Sequence, residues 1–106
     1  PIWKIVETMP QFPGGQDSLN SFFARTVKYP AEAQKNKKEG QVIVRFVVTR
    51  KGEIAYAKIE TGVSPELDKE ALRVINLMPR WIPGKQKKKP VNVMFTLPVN
   101  FYLNEK

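Results

Sequence analysis

The stretch QVIVRFVVTRKGEIAYAKIE, Gln41 to Glu60, decides the fold class. A run of β-branched and aromatic residues meets a short turn containing Gly52 and then resumes, which predicts a β-hairpin. In the first arm Val42, Val44, Phe46 and Val48 share one face. Ile43 and Val47 make much of the other face apolar too, with Arg45 and Thr49 between them. A strand apolar on most of both faces belongs at the centre of a sheet. The second arm, Ile54 to Glu60, keeps weaker order, with Ala55, Ala57 and Ile59 on one face and Ile54 and Tyr56 on the other. That irregularity points to a bulge.

Working towards the C-terminus, SPELDKEALRVINLMPRW offers Ser64 as a cap, Pro65 at the first helical position and acids in the first turn. Leu67, Ala71, Val74, Ile75 and Met78 recur at helical spacing until Pro79 ends the pattern, which predicts a helix from Pro65 to Met78. RWIPGKQKKKP reads as a loop. From Val91 to Leu103 every odd position is apolar while Asn92, Thr96 and Asn100 mark the opposite face, so a last strand is expected there. Towards the N-terminus, Leu19, Phe22, Phe23 and Val27 predict a helix from about Asp17 to Thr26. In KYPAEAQKNKKEG, Pro30 suits the first position of a short surface helix that Gly40 closes. The opening IWKIVETMPQFPGG is extended, because its prolines and double glycine break a helix.

The expected architecture is α+β. A three-stranded antiparallel sheet has the order second, first, third strand, and the Pro65 to Met78 helix packs on one face. Two short N-terminal helices lie at the side. Residues 1–15 form an extended leader and 16–106 the domain proper. An extra N-terminal strand, Ile2 to Val6, either covers a sheet edge or pairs with a second copy as a homodimer.

The chain of 106 residues is the size of one domain with one core. It contains no cysteine and no histidine. Thiol nucleophiles, disulfides, imidazole bases and most zinc or iron sites are thereby removed, and no metal or cofactor is expected. An absence of cysteine also suits an oxidising compartment such as a periplasm. A net charge of +8 implies attraction to something acidic, whether nucleic acid, a lipid surface or an acidic partner. The chain begins at Pro1 and reads as an excised domain, with any membrane anchor upstream.

Pro98 interrupts the last strand. Without a backbone N–H it cannot donate a ladder bond, so this strand belongs at an edge. Alternate residues of a strand address the same side, so Asn92, Met94, Thr96 and Pro98 face one way and Val93, Phe95 and Leu97 the other. If Pro98 faces outward, three complete donor and acceptor sets lie open ahead of it. Such a margin invites an extended peptide to add as the next strand. The plain alternative is that Pro98 blunts an edge that binds nothing.

YPAEAQKNKKEGQVIVRFVVTRKGEI, ALRVINLMPRWIPGK and VNVMFTLPVNF, in that order from Tyr29 to Leu103, resemble the C-terminal domain family of TonB, and VETMPQFPGG is similar to a leader found in one branch of it. The resemblance implies a periplasmic domain of an energy transducer, anchored to the inner membrane in full length and driven by proton-motive-force motor proteins. It implies capture of the TonB box of outer-membrane β-barrel transporters by strand addition, to power siderophore or other nutrient uptake. Carried onto this sequence, the partner-binding residues are Asn92, Val93, Met94, Phe95, Thr96 and Leu97, with Thr26, Val27 and Lys28 ahead of the Tyr-Pro motif. No glutamine precedes Tyr29, a departure from the prototype. The same domain also occurs fused to membrane sensor peptidases.

Two rivals come from other classes. Lys85, Lys87, Lys88 and Lys89 could hold phosphates in an RNA-binding αβ module, but the strands lack a pair of exposed aromatics on a central strand. A solvated lysine loop, with no nucleic-acid partner, is the simpler reading. An enzyme lacks support. Asp17 and Asp68 fit first helical turns, Ser18, Ser21 and Ser64 have no histidine to activate them, and Glu66 and Glu70 fit a solvated acidic face. Trp81 and Tyr102 could form a platform, although an aromatic after a helix end is more often a core plug.

Overall fold

A computed structural model of the chain describes residues 1–103; residues 104–106 of the expected domain lie outside the described residues. The elements run β1 (Ile2–Trp3), α1 (Gln16–Thr26), α2 (Ala31–Lys35), β2 (Gly40–Val48), β3 (Ile54–Thr61), α3 (Pro65–Asn76), β4 (Lys85–Gln86), β5 (Lys89–Pro90) and β6 (Asn92–Phe101). The main sheet has the order β1-β6-β2-β3, so the antiparallel hairpin and last strand stand in the order expected and β1 adds a fourth, parallel strand. No helix among the described residues is long and apolar enough to cross a membrane.

The fold follows from one buried face. Val42, Val44, Phe46 and Val48 of β2 are fully buried and meet Leu67, Ala71, Val74 and Ile75 of α3, which are fully buried as well. Burial stabilises each of the larger side chains by roughly 1.5–3 kcal/mol. The start of α3 is set by the Ser64 hydroxyl, which accepts a hydrogen bond from the Leu67 N–H at 3.3 Å, and by Pro65 in the first turn. All three helices lie on the core side. Val47, on the opposite face, is nevertheless buried, because Ile2, Met94, Tyr56 and Lys58 gather beside it in place of a second layer.

The bulge expected in β3 is present twice. Its register against β2 shifts between Ile43 and Val44 and again between Arg45 and Val47, and Tyr56 stands at φ 55. The extra residues explain why the alternation of that arm looked weak.

Three local expectations need correction. Pro30 caps α2 from outside with ψ 134, because the residue before a helix takes extended geometry more readily than Pro30 takes a place within it here. Gly40 opens β2 instead of closing α2; at φ 150 it lies where a Cβ would come within 2.9 Å of the Val63 side chain. The lysine segment is no open loop. It folds into the β4–β5 ribbon, with Lys87 at φ 50 and Lys88 at φ 66 in the tight turn.

Candidate functional site

The site is built on the last strand. From Gly40 opposite Phe101 to Val48 opposite Val93, β2 and β6 pair without a register shift. Pro98 lies opposite Ile43 and has no N–H, so that pair is a non-hydrogen-bonded one. Alternation then gives Leu97, Phe95 and Val93 to the ladder with β2 and turns the backbone groups of Thr96, Met94 and Asn92 outward. The side chains follow the same alternation: Val93 and Leu97 are buried, Phe95 packs against the core, and Thr96 and Pro98 are exposed.

The leader takes the first part of this margin. Ile2 pairs with Asn92 and Trp3 with Val93; because Val93 is bonded to β2, this parallel register sets the Trp3 carbonyl on the Met94 N–H, so β1 covers the margin as far as that amide and leaves the Met94 carbonyl and Thr96 beyond its end. Asn92 is committed in a second way, since its Oδ1 accepts the Arg50 N–H at 2.8 Å. After β1 the leader departs from the edge. Thr8 and Lys85 exchange backbone bonds of 3.1 and 2.8 Å, and Gln11 and Ile82 exchange bonds of 3.0 and 2.9 Å. Val6, Pro10 and Phe12 are buried.

This path creates a groove on the core side of the open margin. Pro10 and Phe12 of the leader, Leu19 of α1, and Trp81, Phe95 and Leu97 enclose a cavity of about 120 Å³, comparable with cavities that hold a small apolar group. Its floor is a cluster of rings. Trp81 meets Phe12, Phe46 and Phe95 edge-on with centroids 5.7, 5.6 and 5.3 Å away. Trp81 is 3 % exposed and is the core plug its position after the helix predicted, whereas Tyr102 is exposed and far from forming a platform with it. The buried Trp81 Nε1 has no acceptor among the described residues.

Thr26, Val27 and Lys28 are held elsewhere. Their hydrogen bonds run to α1 and α3: Val27 N–H donates to the Phe23 carbonyl at 2.9 Å, and Lys28 N–H donates to Glu70 Oε2 at 2.7 Å. Arg73 donates to the Thr26 carbonyl at 2.8 Å and grips both Glu70 oxygens at 2.7 Å. Glu70 is therefore no member of a solvated acidic face; its side chain is 10 % exposed and ties the chain before Tyr29 to α3. Burial by itself would raise its pKa, but the hydrogen bonds from Arg73 and the Lys28 amide outweigh burial and hold the carboxyl below the usual carboxylate range. The sequence signal was available only in part. Glu70 and Arg73 lie three residues apart on one helix face, but nothing local shows that Thr26 to Lys28 arrives there.

The family model for the Gram-negative bacterial TonB protein C-terminal matches residues 25–103. The chain belongs to that family. It is thus a TonB C-terminal domain, of the periplasmic kind and from a non-catalytic family of energy transducers. Two NMR solution structures of the Helicobacter pylori TonB C-terminal domain share the fold. One is 22% identical, with a TM-score of 0.62 and 89% of each chain covered. The other is 21% identical, with a TM-score of 0.58, covering 85% of this chain and 95% of that one. Among curated proteins none matches this TonB C-terminal domain.

Proposed function

We propose that this domain captures an extended segment of an outer-membrane transporter, the TonB box, as a new strand against β6, and passes on force from an inner-membrane motor to drive nutrient uptake. One observation carries the reading. β6 keeps an unshifted register, and past the end of the two-residue β1 its outward Met94 carbonyl and Thr96 groups lie uncovered beside an apolar groove. Backbone pairing supplies grip with little demand on side-chain identity, and the groove accepts one apolar side chain from the incoming strand. Affinity stays modest, because each net bond contributes about 0.5–1.5 kcal/mol. Bonds along paired strands share a load applied along them, which suits a transducer. Thr26, Val27 and Lys28, braced by Glu70 and Arg73, are a second contact region for the captured segment.

Calorimetry with synthetic N-terminal segments of candidate transporters tests this. Methylating alternate amide nitrogens of a binding peptide should remove the heat of binding for one set of positions only, since only one set faces β6. Equal tolerance of methylation at every position would rule out strand addition.

A further inference from the structure

Strand addition leaves the basic charge of the chain without a role, and the fold gathers most of that charge at one end. The backbone pairs Thr8 with Lys85 and Gln11 with Ile82, the Trp81 N–H donates to the Gly52 carbonyl at 2.7 Å, and the Arg50 N–H donates to Asn92. These bonds bring the leader, the turn between β2 and β3, and the β4–β5 ribbon to a single tip. Lys4, Arg50, Lys51, Arg80 and the four lysines from 85 to 89 all lie there and are exposed. Against these eight cations stand Glu7 and Glu53, so the tip holds a net six of the formal +8. Both acids are already engaged: Glu7 accepts the Lys87 N–H at 2.8 Å, and Glu53 lies 3.7 Å from Arg80.

The same tip exposes large apolar side chains. Ile5 is 82% exposed, Ile82 49%, Met9 41% and Trp3 38%, and Trp3 shares a crevice with Arg50, Pro90 and Val91. At the far end of the strands the charges are mixed, with Glu32, Glu39 and Glu60 among Lys35 and Lys38.

We propose that this tip docks on an anionic lipid bilayer, its lysines and arginines over the headgroups and Trp3, Ile5 and Ile82 at the acyl boundary. Phosphate groups alone would account for the cations, in nucleic acid as in lipid. Exposed isoleucines and a tryptophan within a basic patch are the mark of an interface that is charged above and apolar below. Lys87 and Lys88 also fit, because the tight turn they form at positive φ places two exposed charges at the end of the ribbon. The open margin of β6 starts at this tip, so a docked domain holds it next to the membrane in which a barrel partner sits. Lipid binding itself does not depend on the transporter reading.

The test uses the whole chain with vesicles of phosphatidylcholine, with and without phosphatidylglycerol, and no peptide. Binding is expected only to the anionic vesicles, with release by added salt and a blue shift of tryptophan emission. The shift reports Trp3, because Trp81 is already buried, and it should vanish in Trp3→Phe. The double substitution Lys87→Asn with Lys88→Gly removes two charges yet suits the turn, so loss of folding does not confound it. It should weaken binding about tenfold or more, and Ile5→Ser should weaken it too while leaving the salt dependence of what remains unchanged. No partition into anionic vesicles would overturn the proposal. So would equal binding by both variants, or capture of an oligonucleotide or polyglutamate with no vesicle binding. None of these results bears on peptide capture, which is measured separately.

Discussion

The two margins of the hairpin core differ in how they end the sheet. β3 forms one margin with two register shifts, a tyrosine at positive φ, and exposed Lys58 and Glu60 along it. β6 forms the other in unbroken register, with Pro98 and the two residues of β1 as its only covers among the described residues. Bulges twist a strand and displace its free groups, so β3 offers no regular ladder to a visitor. The margin left regular is the one beside an apolar groove. The difference teaches that this fold closes one edge by its own irregularity and keeps the other available over a short length.

The sharpest way to break that comparison is Met94→Pro. It removes the outward N–H that β1 holds and an incoming strand would take over, without touching the ladder to β2, so peptide binding should disappear while the melting temperature and circular dichroism change little. Loss of folding together with binding would show that Met94 addresses β2. Next in size is Glu70→Ala, which leaves the Lys28 amide and Arg73 without their shared acceptor and should lower unfolding free energy in urea by about 2–3 kcal/mol.

The same site predicts a pH dependence. The folded pKa of Glu70 lies below its unfolded value, so its contribution is fully present above the ordinary carboxylate range and is lost as pH falls through the folded pKa. The stability gap between the wild type and Glu70→Gln should therefore be constant near neutrality and shrink in acid, below about pH 4. A gap that grows in acid would reverse the assignment.

Smaller effects separate the margins further. Removing residues 1–5 uncovers Asn92 and should tighten peptide binding roughly fivefold, the scale of one net hydrogen bond. Unchanged affinity would mean that β1 does not compete for the edge. On the other margin, Tyr56→Gly relieves a positive φ but strips part of the cover of Val47, so stability should change by less than about 1 kcal/mol with no effect on affinity. A change in affinity there would move the site to β3.

What the sequence made legible was what local chemistry decides. The Ser64 cap, the apolar stripe of α3, the central place of β2 and the place of β6 on the outer side of β2 were readable from spacing, turn residues and one proline, although β1 and not β6 ends the sheet there. Two features were not. A leader strand over a sheet edge was expected from Ile2 to Val6, but its place on β6 rests on two residues, too short for alternation to register, and it shortened the open length inferred from Pro98. The β4–β5 ribbon carries Lys87 and Lys88 where asparagine and glycine would advertise a tight turn. The groove was hidden for a different reason, since Pro10 and Phe12 meet Phe95 and Leu97 only after the leader has crossed the core. In the same way the burial of Glu70 depends on a segment more than forty residues earlier in the chain.

Amide hydrogen exchange of the isotope-labelled domain, followed with and without a transporter-derived peptide, addresses the central claim most directly. The expected result is that the Thr96 amide exchanges freely alone and gains protection on binding, while the amides of β3 are unchanged. Protection of Thr96 before any peptide is added, or new protection confined to Tyr56 to Glu60, would contradict it.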